Sequence, residues 1–144
     1  MAKQLTIFIE NKPGKLESVT EHLLNSGIDI RAFTIQDRGD YGLLKLIVDK
    51  PREAYLALAD LGFACALKDI LAVSVDDKPG NLHKLATAMA KANINVKDAY
   101  GFVLQPHQNG ICCLEIENLK HTRAAEVVSE AGFTVLEDAE LYNL

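Results

Sequence analysis

Asn11-Lys12-Pro13-Gly14-Lys15-Leu16 returns as Asp77-Lys78-Pro79-Gly80-Asn81-Leu82, and a chain that repeats a turn with its flanks is built as two copies of one unit. The step is 66 positions, the distance from Lys12 to Lys78. Each copy stands where an apolar alternation stops and a helical spacing begins. Asn or Asp turns the backbone onto itself, and Pro presets φ for the first helical position. Gly lacks a Cβ, so an outside group can approach the open N–H groups of the helix start.

The first copy reads as strand, helix, strand, strand, helix, strand. Leu5, Ile7 and Ile9 alternate through residues 4–10. Leu16, Val19, Leu23 and Leu24 recur at helical spacing, and Gly27 closes that helix. Ile28, Ile30 and Ala32 alternate again, Arg38-Gly39-Asp40 marks a hairpin, and Leu44, Leu46 and Val48 form the returning strand. Pro51 opens a second helix with Ala54, Tyr55, Leu58 and Leu61 expected inward, Gly62 ends it, and residues 63–69 form the last strand. In the second copy Leu71, Val73 and Val75 take the first strand, and Leu82, Leu85 and Met89 the helix. Ile94-Asn95-Val96-Lys97 answers Ile28-Asp29-Ile30-Arg31, and Gly132-Phe133 answers Gly62-Phe63 after a longer hairpin at residues 106–110. Two copies are too few for a solenoid, so this is a tandem duplication.

The expected fold is α+β: two ferredoxin-like βαββαβ units, residues 1–69 and 70–144, each an antiparallel four-stranded sheet with two helices on one face. A unit of about 70 residues buries only about 60% of its unfolded surface and is marginal alone. The junction at residues 67–71 has no Gly, Pro or Ser run to act as a linker. The halves are therefore expected to pack as a pseudo-twofold pair.

Charge and composition narrow the function. A net charge of −5 without a basic stripe argues against nucleic acid as a partner. No apolar run approaches the roughly 20 residues that span a bilayer, and the N-terminus lacks the apolar segment of a signal peptide. Cys65, Cys112 and Cys113 make neither a disulfide framework nor a metal spacing, and read as small apolar filler in a cytoplasmic protein. His22, His83, His107 and His121 have no metal-ligand spacing either. A nucleophile–base motif, a phosphate-cradling loop and a metal box are all absent, so no catalytic residue, cofactor or metal is expected.

With these residues in view, the chain resembles the ACT domain, a small ligand-binding regulatory module of amino-acid metabolism. The duplicated Asn/Asp-x-Pro-Gly-x-Leu turns carry the resemblance, together with Ser26-Gly27-Ile28-Asp29-Ile30, Ala92-Asn93-Ile94-Asn95-Val96 and the two Gly-Phe pairs. It covers almost the whole chain, twice. The resemblance implies a free L-amino acid held between two units, with the turn of one facing the second-strand start of another. The implied binding residues are Asn11, Lys12, Pro13, Gly14, Lys15, Leu16, Asp77, Lys78, Pro79, Gly80, Asn81 and Leu82 in the turns, with Asp29, Ile30, Asn95 and Val96 at the strand starts. It also implies a homodimer and a partner enzyme or regulator of amino-acid metabolism. If turns and strand starts pair crosswise, Asn11 with Asn95 makes the neutral site, expected to be the tighter; Asp77 with Asp29 makes the acidic one. Asn11 and Asp77 are equally at home as plain turn-formers. Two other readings stay open: a constitutive assembly subunit without ligand, and a small ferredoxin-like hydrolase.

Overall fold

The computed structural model describes residues 1–144, and the chain divides into two compact units. One comprises Lys3–Lys68 with Tyr142–Leu144, the other Asp69–Leu141 with Met1–Ala2, so each unit takes a few residues from the far end of the chain.

The first unit runs β1 (Lys3–Glu10), α1 (Lys15–Asn25), β2 (Ile30–Asp37), β3 (Tyr41–Val48), α2 (Pro51–Asp60) and β4 (Ala64–Asp69). Its strands lie in the order β2-β3-β1-β4. This is the expected ferredoxin-like order. Strand alternation sends Leu5, Ile7 and Ile9 of β1 and Leu44, Leu46 and Val48 of β3 to one side of the sheet. There they meet Val19 and Leu23 of α1 and Ala54 and Leu58 of α2 in a single buried cluster. Leu24 and Leu61, expected inward from their spacing, are 75% and 56% exposed. Two inward positions per helix already cover the strands, and these leucines fall off that stripe.

The second unit repeats the plan with β5 (Leu71–Asp76), α3 (Asn81–Lys91), β6 (Val96–Gln105), β7 (Asn109–Ile116), α4 (Ala124–Glu130) and β8 (Thr134–Val135), in the order β6-β7-β5-β8. Its core gathers Leu71, Val73, Val75, Leu85, Met89, Leu114, Ala124 and Val128. It also departs from the first. A 3-10 turn at Leu119–His121 precedes α4, the last strand shrinks to two residues, and a short helix α5 (Asp138–Tyr142) follows. The spacing did not announce α5. A side-chain cap opens it, with Glu140 Oε2 accepting the Glu137 N–H at 2.8 Å, and Leu141 is fully buried. Tyr142, the last residue of α5, belongs to the first unit. Its hydroxyl accepts the Lys3 N–H at 2.7 Å, and its carbonyl accepts from Arg31 Nε at 2.9 Å.

Candidate functional site

The two Pro-Gly turns have almost the same backbone. Gly14 and Gly80 are the N-caps of α1 and α3, at φ 87° and 89°, and neither helix start carries a side-chain cap. A Cβ at either glycine would meet nothing within 4 Å, so the positive φ, not crowding, selects glycine there. The Lys15 and Asn81 N–H groups donate back to the Lys12 and Lys78 carbonyls at 3.4 and 3.3 Å, and the N–H groups of the next two residues carry the partial positive charge of each helix start.

The leading Asn and Asp are engaged locally. Asn11 Nδ2 donates to Asp37 Oδ1 at 3.0 Å and to the Gly39 carbonyl at 2.9 Å. Asp77 Oδ2 accepts the His107 N–H at 2.7 Å. Their backbone N–H groups bind Asp40 and Gln108 carbonyls, each at 3.1 Å. Both residues thus brace the neighbouring hairpin of their own unit, whatever else they do.

Asp29 and Asn95 do the same at the other end of their sheets. The Asp29 N–H donates to Asp49 Oδ1 at 2.9 Å, and its carboxylate pairs with Arg31 at 3.1 Å. Asn95 Nδ2 donates to Glu117 Oε2 at 3.3 Å. Ile30 and Val96 open β2 and β6 directly after them. Because β1 and β2 both run antiparallel to β3, the turn after β1 and the start of β2 lie at opposite ends of it. Glu10 pairs with Tyr41 and Ile30 with Val48, a separation of about 20 Å. Within one unit the predicted turn and strand-start residues do not meet.

The charges around the turns differ. In the first unit Lys12 and Lys15 both pair with Glu10, at 2.9 and 3.7 Å, and the Lys12 hydrogen bond holds the Glu10 carboxyl below its usual range. In the second, Asn81 stands where Lys15 does, and its Nδ2 donates to the Asp76 carbonyl at 2.9 Å. Lys78 makes no ion pair.

A cavity of about 360 Å³ opens beside the second turn. Asp77, Lys78, Asn81 and Leu82 line its mouth, and Val75, Gly101, Val103, Gly110 and Cys112 continue it across the sheet. The first four were expected from the sequence; the others were not. Gly101 stands 66 positions after Ile35, so the repeat step does point to it, but a glycine within a strand pattern gives no signal of a cavity. Cys112 lies 68 positions after Leu44, and the longer hairpin hides that match. Tyr41 and Tyr100 do not line it. Tyr41 packs its ring 6.0 Å from Phe8. Tyr100 pairs with Cys113 on the side of the sheet away from Gly101, and burial pushes its phenol and the Cys113 thiol up, the latter to about 12.

No three His, Cys, Asp or Glu side chains converge as a metal site requires, and no helix is long and apolar enough to cross a membrane. A family model described as an ACT domain pair matches residues 1–144. The chain belongs to this family. A crystal structure of a protein from Bacteroides thetaiotaomicron matches this ACT pair with 33% identity and a TM-score of 0.91, over 99% of this chain and 96% of that one. The ligand-free regulatory subunit of aspartate kinase from Thermus thermophilus shares the fold, with a TM-score of 0.65 and 21% identity over 90% and 92% of the chains. Its counterpart from Thermus flavus has a TM-score of 0.60 and 20% identity over 90% and 91%. No curated protein matches the sequence. In this ACT pair the uncapped, glycine-led helix starts are the duplicated feature, and the cavity described lies beside the second.

Proposed function

We propose that this ACT pair is a non-catalytic regulatory protein that binds a free L-amino acid at its Pro-Gly turns. The amino acid is closed in by the strand start of another ACT unit, and occupancy passes to a partner enzyme or regulator of amino-acid metabolism. The observation that carries the reading is the second turn: an uncapped helix start and an unpaired Lys78 at the mouth of an amino-acid-sized cavity. An amino acid is a zwitterion. Its carboxylate suits the helix start and Lys78, worth about 0.3–1 kcal/mol at an exposed helix end and up to about 2 when partly buried. Its ammonium suits Asp77, whose second carboxylate oxygen remains available beside the one held by His107.

The separation of turn and strand start within a unit supports the two-unit arrangement, because Asp29–Ile30 or Asn95–Val96 can join a turn only from a different unit. Binding would then favour one packing of units over another, which is the linkage a sensor needs. The ligand and the partner, including a second copy of the chain as homodimer in the cytoplasm, belong to this proposal.

A second reading has its own observation. Asn11 and Asp77 both brace hairpins, as an assembly subunit without ligand would use them. Thermal denaturation with each of the twenty amino acids separates the two. The sensor reading expects stabilisation of about 2.7 kcal/mol at 100 times the dissociation constant. No shift with any amino acid would leave the assembly reading standing.

A further inference from the structure

The cavity exists because one row of residues across the second sheet is smaller than its counterpart in the first. On the helix side of the first sheet, Ile35, Leu44 and Ile7 are cross-strand neighbours, and in the second the same row is Gly101, Cys112 and Val73. The next row towards the turn is Asp37, Gly42 and Ile9 in the first unit, and Val103, Gly110 and Val75 in the second. Four of these exchanges remove volume and one removes a charge. The glycines report the consequence directly. Around Gly42 the side chains of Ile9 and Ile35 converge, their Cγ1 atoms 3.6 and 3.9 Å from where a Cβ would stand. Around Gly110 the nearest atoms are all backbone, those of Phe102 and Val103. At Gly101 no side chain takes the place of Ile35, although a Cβ there would stand 3.1 Å from the Ile111 carbonyl oxygen, so the strand must give slightly to accept one.

What remains is a slot with apolar walls, Val75, Leu82, Val103 and Cys112, and a polar mouth. Leu82 is 64% exposed at that mouth, an uncovered apolar side chain beside the charged turn. Burial holds the Cys112 thiol protonated, so the floor is uncharged at neutral pH. A polar or ionic side chain entering the slot would lose hydration without a side-chain partner on these walls, whereas an apolar one gains about 25 cal/mol for each Å² removed from water.

We infer that the cavity of the second unit selects a bulky apolar amino acid, aromatic or branched-chain, with its side chain lying over Gly101 and against Leu82, and that Gly101 is the residue setting this selectivity. The inference rests on the proposed amino-acid site and adds the class of its ligand.

Isothermal titration of the full chain with L-phenylalanine, L-leucine, L-serine, L-aspartate and L-lysine tests it, on the wild type, Gly101→Ile and Leu82→Ala. Gly101→Ile restores the bulk that Ile35 supplies in the first unit. Leu82→Ala alters an exposed side chain, so it remains informative if the strand substitution disturbs folding. The expected result is that phenylalanine or leucine binds the wild type at least tenfold more tightly than the three polar amino acids. Gly101→Ile should weaken that ligand about tenfold or more, and Leu82→Ala severalfold. Polar amino acids binding as tightly as apolar ones, or apolar binding unchanged in both variants, would overturn the inference while leaving an amino-acid sensor in place. Failure of all five to bind, with no thermal shift from any of the twenty amino acids, would overturn the proposed function, and the inference with it.

Discussion

Across the middle of the two sheets the same kinds of residue recur: Leu5 with Leu46 in the first unit, Leu71 with Leu114 in the second, all buried. Along the edge strands they do not. Phe33, Ile35 and Asp37 of β2 stand where β6 has Ala99, Gly101 and Val103. The difference follows from position. A central strand lies under two helices, where each methylene lost or gained alters close packing. An edge strand projects beyond the helices, and Phe33 and Ile35 are 66% and 48% exposed. The largest single exchange, Ile35 to Gly101, falls on the edge strand, with the smaller Leu44 to Cys112 exchange on the central strand beside it, and the second unit's cavity lies over both. The first unit instead has its turn cations tied down by Glu10 and its edge row filled. The cavity described sits at the Asp77 turn, the acidic one of the two.

The comparison can be broken most sharply at the paired glycines of β3 and β7. A Cβ on Gly110 would stand 2.9 Å from the Phe102 carbonyl oxygen, whereas one on Gly42 would find its nearest neighbour at 3.5 Å. Gly110→Ala is therefore expected to cost about 1–3 kcal/mol in chemical denaturation, and Gly42→Ala less than about 0.5 kcal/mol. Equal costs would mean that the two edges are built alike after all.

The turns should behave in the opposite way. Gly14→Ala and Gly80→Ala each place a Cβ in open space at a positive φ, so each should cost about 1–2 kcal/mol, and the two costs should match. A loss at one turn only would show that the duplicated backbone is not equivalent in the two units.

The smallest effect separates the turns by charge. Glu10 has its pKa lowered by Lys12 first and Lys15 second, so its contribution to stability is present above the ordinary carboxylate value. It is lost as pH falls through the lowered value. An NMR titration should find the Glu10 carboxyl ionising below the usual glutamate range in the wild type and close to that range in a Lys12→Ala, Lys15→Ala double variant. An unchanged titration would remove the electrostatic contrast between the two turns.

Much of this architecture was legible from short stretches of chain. Pro followed by Gly marks a helix start because both act through their own φ, and Leu5, Ile7 and Ile9 mark a buried strand face by their alternation alone. Leu24 and Leu61 misled because helical spacing gives the stripe but not its width. Helix α5 was missed because five residues with one buried leucine carry too little periodicity to read.

By itself the sequence determined the duplication, the order of strands and helices in each half, and the two glycine-led helix starts, since each depends on residues within a few positions of one another. Only the tertiary structure decided that Asn11 and Asp77 brace hairpins, that turn and strand start lie at opposite ends of a unit, and that Gly101 and Cys112 open a cavity beside Lys78. Those properties are distances and volumes set by strand pairing between residues far apart in the chain, and the longer second hairpin shifts the register in which the two halves would otherwise be compared.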